Sequence, residues 1–162
     1  MIPPNAQTLW RAFCAQRGTD RSADFYEAFH FHDNEQGALE LAQLVLSGVK
    51  RGTASLVWSY EHDQKRPPWP GSLSVMTDWQ GQALGIIETK TVEVVPFEAV
   101  SAEFAAIEGE GDGSLRYWRE GHWQYFSREC ARIGREPSQR MPVLCECFDL
   151  VFAPGTQAGS PA

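Results

Sequence analysis

Apolar residues recur at helical spacing in four parts of the chain. Near the start, Leu9 and Phe13 fall on one side of a helix, and Gly18 follows where that helix would end. In the longest segment, Trp118 and Phe126 belong to one apolar stripe. The pattern predicts helices over residues 6–17, 36–47, 97–106 and 114–133.

At residue 53 the apolar residues change from helical spacing to a spacing of two. Ala54, Leu56 and Trp58 would point to one face of a strand, which leaves Thr53 and Ser55 on the other face. The predicted strands cover residues 25–31, 53–58, 72–77, 84–95 and 142–152. Strands with helices between and after them indicate a mixed α+β domain, in which a partly closed antiparallel barrel would hide the strand edges.

The composition indicates one compact, soluble domain. With 162 residues and a hydrophobic fraction of 43%, the chain can bury a substantial core. No apolar run approaches the roughly 20 residues that a membrane-spanning helix needs. The four cysteines match no zinc-binding spacing, so they predict free thiols in a reducing cytoplasm and no metal site. They are Cys14, Cys130, Cys145 and Cys147.

The charge balance is acidic, with 21 acidic and 14 basic residues and a formal net charge of −7. This balance argues against a protein that wraps a long nucleic-acid duplex, because phosphate neutralisation requires a basic surface. It permits a small ligand or a local basic strip. Lys50, Arg51, Lys65 and Arg66 lie close enough in sequence to form such a strip.

The turn between the second helix and the next strand carries a G-x-K-x-x-T motif. It places the amine of Lys50 three residues before the hydroxyl of Thr53, with Gly48 and Gly52 allowing the backbone to bend. A lysine that is partly removed from water can act as a base at neutral pH, and a neighbouring hydroxyl can then act as a nucleophile. The motif therefore indicates a candidate catalytic pair.

This motif and several later segments together resemble the ASCH domains, which are relatives of the PUA domain. The later segments follow in order as residues 86–89, 108–112, 118–123 and 141–146. The resemblance spans residues 25–152 and implies an α+β fold, a PUA-like, partly closed β-barrel with flanking helices that is associated with RNA. It leaves residues 1–24 as an N-terminal helical extension and residues 153–162 as a disordered tail.

The resemblance also implies a chemistry. Small bacterial ASCH proteins include amidohydrolases that remove the acetyl group of N4-acetylcytidine with a lysine, a threonine and a glutamate. By position in the motifs these residues are Lys50, Thr53 and Glu108, with Glu110 as the alternative carboxylate. Other ASCH proteins are assigned ribonuclease activity and many have no assigned activity. A metal-independent ribonuclease and a non-catalytic RNA-binding module therefore remain alternatives.

Further side chains are expected to contribute to a binding cleft, namely Arg51, Ser55, Trp69, Glu88, Glu110 and His122. Trp69 lies in a proline-rich loop and is the candidate for an exposed, base-stacking aromatic residue. His122 falls on the apolar stripe of the longest helix, as a hydrogen-bonded core histidine or as an acid–base group. The expected ligand is a modified nucleoside or single-stranded RNA, with no cofactor and no membrane, and the oligomeric state stays open.

Overall fold

The structure is a computed structural model that describes residues 1–155. Its helices are α1 Gln7–Arg17, α2 Glu35–Leu46, α3 Val57–His62, α4 Ala102–Glu108 and α5 Leu115–Ile133. Its strands are β1 Phe25–Phe29, β2 Gly52–Leu56, β3 Leu73–Thr77, β4 Ala83–Pro96 and β5 Pro142–Phe152. Of the predicted tail, Ala153 is buried directly after β5, and residues 156–162 lie outside the described part of the chain.

The described strands form one sheet in the order β1-β3-β4-β5-β2, with helices flanking it. The predicted α+β class is confirmed. The sheet is mixed and open, because β1 runs parallel to β3 and because β1 and β2 lie at its two edges. A parallel pair needs a long crossover connection, and here that connection contains α2, β2 and α3. The pairs β3–β4 and β2–β5 are antiparallel.

The helix ends follow local capping chemistry. The Asn34 side chain accepts a hydrogen bond from the backbone of Gly37 at the start of α2. Gly18 ends α1 in the left-handed conformation, with φ of 68°. The helix predicted over 97–106 divides instead into a short 3₁₀ turn and then α4, because the Ser101 side chain caps a new helix there.

One helix lies where the sequence predicted the end of a strand. β2 ends at Leu56, and α3 begins at Val57 and contains Trp58, which the spacing of two had placed on the strand. Val57, Trp58 and Tyr60 are residue types that favour strands, so local propensity gave no signal for this short helix.

The described residues form two compact units, each with its own apolar core. The first unit contains Met1–Gly48, Gly71–Thr89 and residues 149–155. Its core includes Trp10 and Phe13 of α1 together with residues of β3 and β4. The second unit contains Val49–Pro70 and Lys90–Phe148. Its core joins β2, β5, α4 and α5, and all the charged residues of the candidate site belong to it.

The longest helix, α5, is too polar to span a bilayer, and no other helix within residues 1–155 is long and apolar enough to do so.

Candidate functional site

The loop between α2 and β2 is attached to the end of α4 through its backbone. The N–H of Arg51 donates to the carbonyl of Ile107 at 2.9 Å, and the carbonyl of Arg51 accepts from the N–H of Phe148 at 2.9 Å. Gly52 keeps this approach close, since a Cβ there would lie only 3.1 Å from a methyl carbon of Ile107. The loop is therefore fixed where the side chain of Lys50 can reach residues that follow α4.

Gly109 makes a second close contact between the end of α4 and the loop that carries Lys50. It ends α4 in the left-handed conformation, with φ of 65°, and a Cβ on it would lie 2.6 Å from the carbonyl oxygen of Val49. Only glycine combines that backbone angle with such a close approach at little cost. The turn at Gly109 separates Glu108 from Glu110 and allows both carboxylates to face Lys50.

Lys50 is completely enclosed, with a side-chain exposure of 0%. Its Nζ donates to the carbonyl of Gly52 at 2.7 Å and to Oε1 of Glu110 at 2.7 Å. Oε1 of Glu108 lies 3.5 Å away. One carbonyl and two carboxylates therefore surround the amine of Lys50.

Glu108 is the last residue of α4 and not part of a loop, and its side chain is only 1% exposed. Its Oε2 accepts a hydrogen bond from the indole Nε1 of Trp118, and Nε2 of His122 lies 3.2 Å from the same oxygen. Its Oε1 makes no hydrogen bond within the described residues and lies beside the ammonium of Lys50. Glu108 is therefore held by neighbours on both of its oxygens.

His122 lies one helical turn after Trp118 on α5, with 12% of its side chain exposed. Its Nδ1 is 2.9 Å from the carbonyl oxygen of Trp118. The two rings stack in parallel, with their centroids 4.1 Å apart and an interplanar angle of 11°. The ring of Phe126 contacts His122 edge-on. The predicted apolar stripe therefore exists, and it presents His122 to a buried carboxylate.

Glu110 is the most exposed member of the charged cluster, at 23% of its side chain. The glycine-rich segment that carries Glu110 forms a tight turn and not a flexible loop. The carbonyl of Glu110 accepts from the N–H of Gly113 at 2.9 Å. The side chain of Ser114 then caps α5. The turn fixes Glu110 between Lys50 and the solvent.

Thr53 and Ser55 lie on the same face of β2, as the sequence predicted. Thr53 is half-buried and pairs with Glu146 of β5. Glu146 is itself buried, and the sequence analysis did not select it. The signal was present, because Glu146 lies between two cysteines on an apolar strand and is polar where burial is expected.

The profile of the ASCH domain matches residues 27–152 of the chain. This protein belongs to the ASCH domain family. The crystal structure of an ASCH domain from Lactobacillus crispatus JV V101 is similar, with a TM-score of 0.86 and 34% sequence identity, covering 93% of this chain and 96% of that chain. Protein EF3133 from Enterococcus faecalis V583 has a TM-score of 0.83 and 31% identity, covering 91% and 88% respectively. No functionally curated protein matches the chain.

The resemblance to ASCH domains is thus confirmed, and members of this family are generally considered RNA-binding. In this ASCH domain the structure brings four of the predicted site residues into one cluster, namely Lys50, Glu108, Glu110 and His122. Thr53 follows Gly52 directly, and the carbonyl of Gly52 accepts a hydrogen bond from the cluster's ammonium. The predicted nucleophile, Thr53, is therefore the neighbour of a residue that contacts the charged cluster.

The remaining predicted binding residues of the ASCH domain have varied surroundings. Arg51 is exposed. Ser55 lines a cavity of about 160 Å³ together with Tyr60 and Tyr125. Trp69 is half-buried, and the guanidinium of Arg66 stacks over its ring at 4.0 Å. Glu88 is half-buried on β4 opposite Leu73, in the first compact unit.

The four cysteines of the protein are free thiols, as predicted. Burial, together with the negative charge of Glu108, raises the pKa of the Cys145 thiol to about 12. Across residues 1–155, no group of three or more histidine, cysteine, aspartate or glutamate side chains has the arrangement of a metal site. The chemistry considered below uses only the side chains of the chain.

Proposed function

We propose that this ASCH domain is an amidohydrolase that acts on N4-acylated cytidine or a similar small amide. The observation that carries the proposal is the enclosed Lys50 ammonium, which contacts a carboxylate at 2.7 Å and precedes β2, the strand in which Thr53 is the second residue. Acyl transfer requires a nucleophile, a base that accepts its proton and an acid for the leaving amine. Thr53, Lys50 and Glu110 are assigned to these three roles.

The first step begins with a proton shift inside the cluster. The Lys50 ammonium passes one proton to Glu110 along their hydrogen bond, which leaves a neutral amine and a protonated carboxyl group. As Oγ1 of Thr53 attacks the amide carbon, Lys50 accepts the hydroxyl proton and regains its charge. That charge lies close to the developing oxyanion and stabilises it, because electrostatic stabilisation is strong in a site shielded from water.

Collapse of the tetrahedral intermediate breaks the carbon–nitrogen bond. Glu110 donates its proton to the departing exocyclic nitrogen, and the acyl group remains on Thr53 as an ester. Water then attacks this ester while Glu110 accepts a proton from it. Collapse of the second tetrahedral intermediate breaks the bond between the acyl carbon and Oγ1 and releases the acyl group as a carboxylic acid, while Lys50 returns a proton to Oγ1 of Thr53. Glu110 then gives its proton to Lys50, and the resting charges are restored.

This scheme assigns the moving proton to Glu110 and not to Glu108, the residue that motif position favoured. Glu110 is partly exposed and bonded directly to Lys50, so it can meet a substrate that enters from solvent. Glu108 is enclosed, and its Oε2 is contacted by the indole N–H of Trp118 and by the imidazole of His122. Glu108 therefore serves to hold Lys50 from the protein side.

The experiment is hydrolysis of N4-acetylcytidine followed by ultraviolet absorbance. Lys50→Met, Thr53→Ala and Glu110→Gln are each expected to lower kcat by roughly a thousandfold or more, because the three groups act as a unit. Two exposed residues provide matched controls with the same chemical changes, Thr91→Ala on β4 and Glu103→Gln on α4. Both controls should retain wild-type turnover.

Absence of turnover by folded wild-type protein would contradict the amidohydrolase proposal. Binding and cleavage of labelled single-stranded RNA would then separate the two alternatives. Cleavage lost in Lys50→Met would support a metal-independent ribonuclease, whereas binding without cleavage would support a non-catalytic RNA-binding module.

A further inference from the structure

We infer that His122 is held as an imidazolium and is the second cation of the candidate site, where it positions Glu108 for Lys50. Both of its ring nitrogens face oxygen acceptors. Nδ1 lies 2.9 Å from the carbonyl oxygen of Trp118, and Nε2 lies 3.2 Å from Oε2 of Glu108. A neutral imidazole carries only one N–H, so it can satisfy only one of these acceptors.

The extra proton belongs to His122 and not to the carboxyl group. The indole N–H of Trp118 donates to Oε2 of Glu108, and the ammonium of Lys50 lies 3.5 Å from Oε1, so both neighbours favour an ionised carboxylate. The parallel stack on Trp118 favours a charged ring as well, because the face of an indole attracts cations.

Among the four residues of the cluster, an imidazolium at His122 makes the positive and negative charges equal. Lys50 contributes one positive charge, and Glu108 and Glu110 contribute two negative charges, in a space where Lys50 and Glu108 have almost no exposure. The nearby thiol of Cys145 on β5 stays neutral because its pKa is raised to about 12. An imidazolium at His122 completes two ion pairs, and an uncompensated buried charge would be far more costly.

The inference gives His122 a positioning role in the reaction, and this part rests on the proposed function. With His122 charged, Glu108 is paired on its Oε2 side, and Lys50 keeps its 2.7 Å contact with Glu110. Without that charge, the enclosed carboxylate of Glu108 attracts the ammonium more strongly and competes with Glu110 for it. The proton shift from Lys50 to Glu110 then becomes less favourable.

Nuclear magnetic resonance of the ring nitrogens tests the charge without any substrate. Long-range ¹H–¹⁵N spectra of wild-type protein at neutral pH are expected to show both nitrogens of His122 protonated, with the signals assigned by their loss in His122→Gln. In Glu108→Gln the ring should become neutral, with its proton on Nδ1. A neutral His122 ring in wild-type protein would overturn the inference, whatever the fate of the proposed activity.

Kinetics test the positioning role separately. His122→Gln removes the charge but keeps a hydrogen-bond donor, and kcat for N4-acetylcytidine should fall roughly tenfold to a hundredfold with KM within about twofold of wild type. Trp118→Phe removes a neutral donor from the same oxygen of Glu108 and keeps an aromatic face against His122, so its loss should be clearly smaller. Equal losses in the two variants would overturn the role of the charge. A wild type without turnover would refute the proposed function and leave the spectra to decide the inference.

Discussion

Lys50 and Glu108 carry full charges with almost no access to solvent. Taking such charges out of water costs several kcal/mol for each ion, and pairing recovers this only when the remaining donors and acceptors are also used. Nζ of Lys50 makes two contacts of 2.7 Å, and the carboxylate of Glu108 is bound by the Trp118 indole. The cluster is thus stable as a set, and the loss of one member leaves another unpaired.

Lys50→Met keeps most of the volume of the side chain and removes only its charge. We expect it to lower the free energy of unfolding by about 3 kcal/mol or more, because the buried Glu108 loses one of its two neighbouring cations and Glu110 loses its contact with the ammonium. Urea unfolding followed by circular dichroism measures the change. The double variant Lys50→Met with Glu108→Gln removes both charges and should recover a large part of the loss. A single variant as stable as wild type would contradict the ion pair.

Cys145 offers a prediction about pH at the same scale. Burial raises the pKa of its thiol from 9.0 to about 12 in the folded protein. The folded state therefore holds this proton more tightly than the unfolded chain, and the stability linked to the thiol is complete below pH 9 and is lost as pH rises toward 12. Cys145→Ala should flatten the fall in unfolding free energy above pH 9, by up to about 1 kcal/mol per pH unit.

Urea unfolding at several pH values measures that slope. Cys147→Ala, two residues along the same strand and half-buried, is the matched control and should keep the wild-type slope. An unchanged slope in Cys145→Ala would show that the thiol does not hold its proton in the folded state.

The sequence predicted the chemistry of the candidate site better than its geometry. Lys50 and Thr53 follow from a motif within one turn, so their proximity is local. The enclosure of Glu108 is not local, because it depends on an indole and an imidazole ten and fourteen residues further along the chain. Nothing in the spacing showed that one of the neighbouring glycines, Gly109, lies against the backbone of Val49.

At the scale of elements, the turn from α4 to α5 controls how the loop of Lys50 is placed. Gly109 and Gly113 both have positive φ, at 65° and 72°, but only Gly109 approaches another backbone segment. An alanine in the left-handed conformation costs about 1 kcal/mol by itself. A comparison of alanine substitutions at the two glycines therefore distinguishes the cost of backbone strain from the cost of steric contact.

Gly113→Ala should lower the free energy of unfolding by about 1 kcal/mol, from backbone strain alone. Gly109→Ala should lower it by at least twice as much, since its new Cβ must displace the carbonyl of Val49. The same displacement moves Lys50, so only Gly109→Ala should also reduce the hydrolysis of N4-acetylcytidine. Urea unfolding and the absorbance assay measure the two effects. Equal results for both variants would show that the contact between Gly109 and Val49 contributes neither to stability nor to the position of Lys50.

The elements predicted from sequence were correct where a cap or a glycine marks their ends. Gly18 gave such a signal at the end of α1, and the helices predicted over 6–17, 36–47 and 114–133 agree with α1, α2 and α5 to within a few residues. α3 had no such signal, since its first residue follows β2 directly and Leu56 makes no side-chain cap. Tertiary packing of α3 against α5 overrides the local preference there.

At the scale of the whole molecule, the strand order could not be read from spacing. The alternation of side chains predicts which residues share a face, but it does not state which strand lies beside which. The parallel pairing of β1 with β3 joins segments more than forty residues apart, such as Phe25 with Leu73. The class was therefore predictable, whereas the open, mixed sheet became evident only from the fold.

The net charge of −7 leads to a prediction for the whole molecule. An uncharged nucleoside releases no counterions on binding, so the rate of N4-acetylcytidine hydrolysis should change by less than about twofold between roughly 50 and 500 mM NaCl. The same modified base within single-stranded RNA should be processed more slowly as salt rises, because phosphate contacts weaken. Parallel assays over this salt range make the comparison. A steep salt dependence with the free nucleoside would contradict an uncharged substrate.

The order of the sheet places β2 at an edge, where a strand presents main-chain groups that can pair with a second molecule. The ammonium of Lys50 already occupies the carbonyl of Gly52, the first residue of that strand. β2 is five residues long, and α3 follows it at once. The side chain that gives the site its positive charge therefore also occupies a main-chain acceptor at the start of a short edge strand.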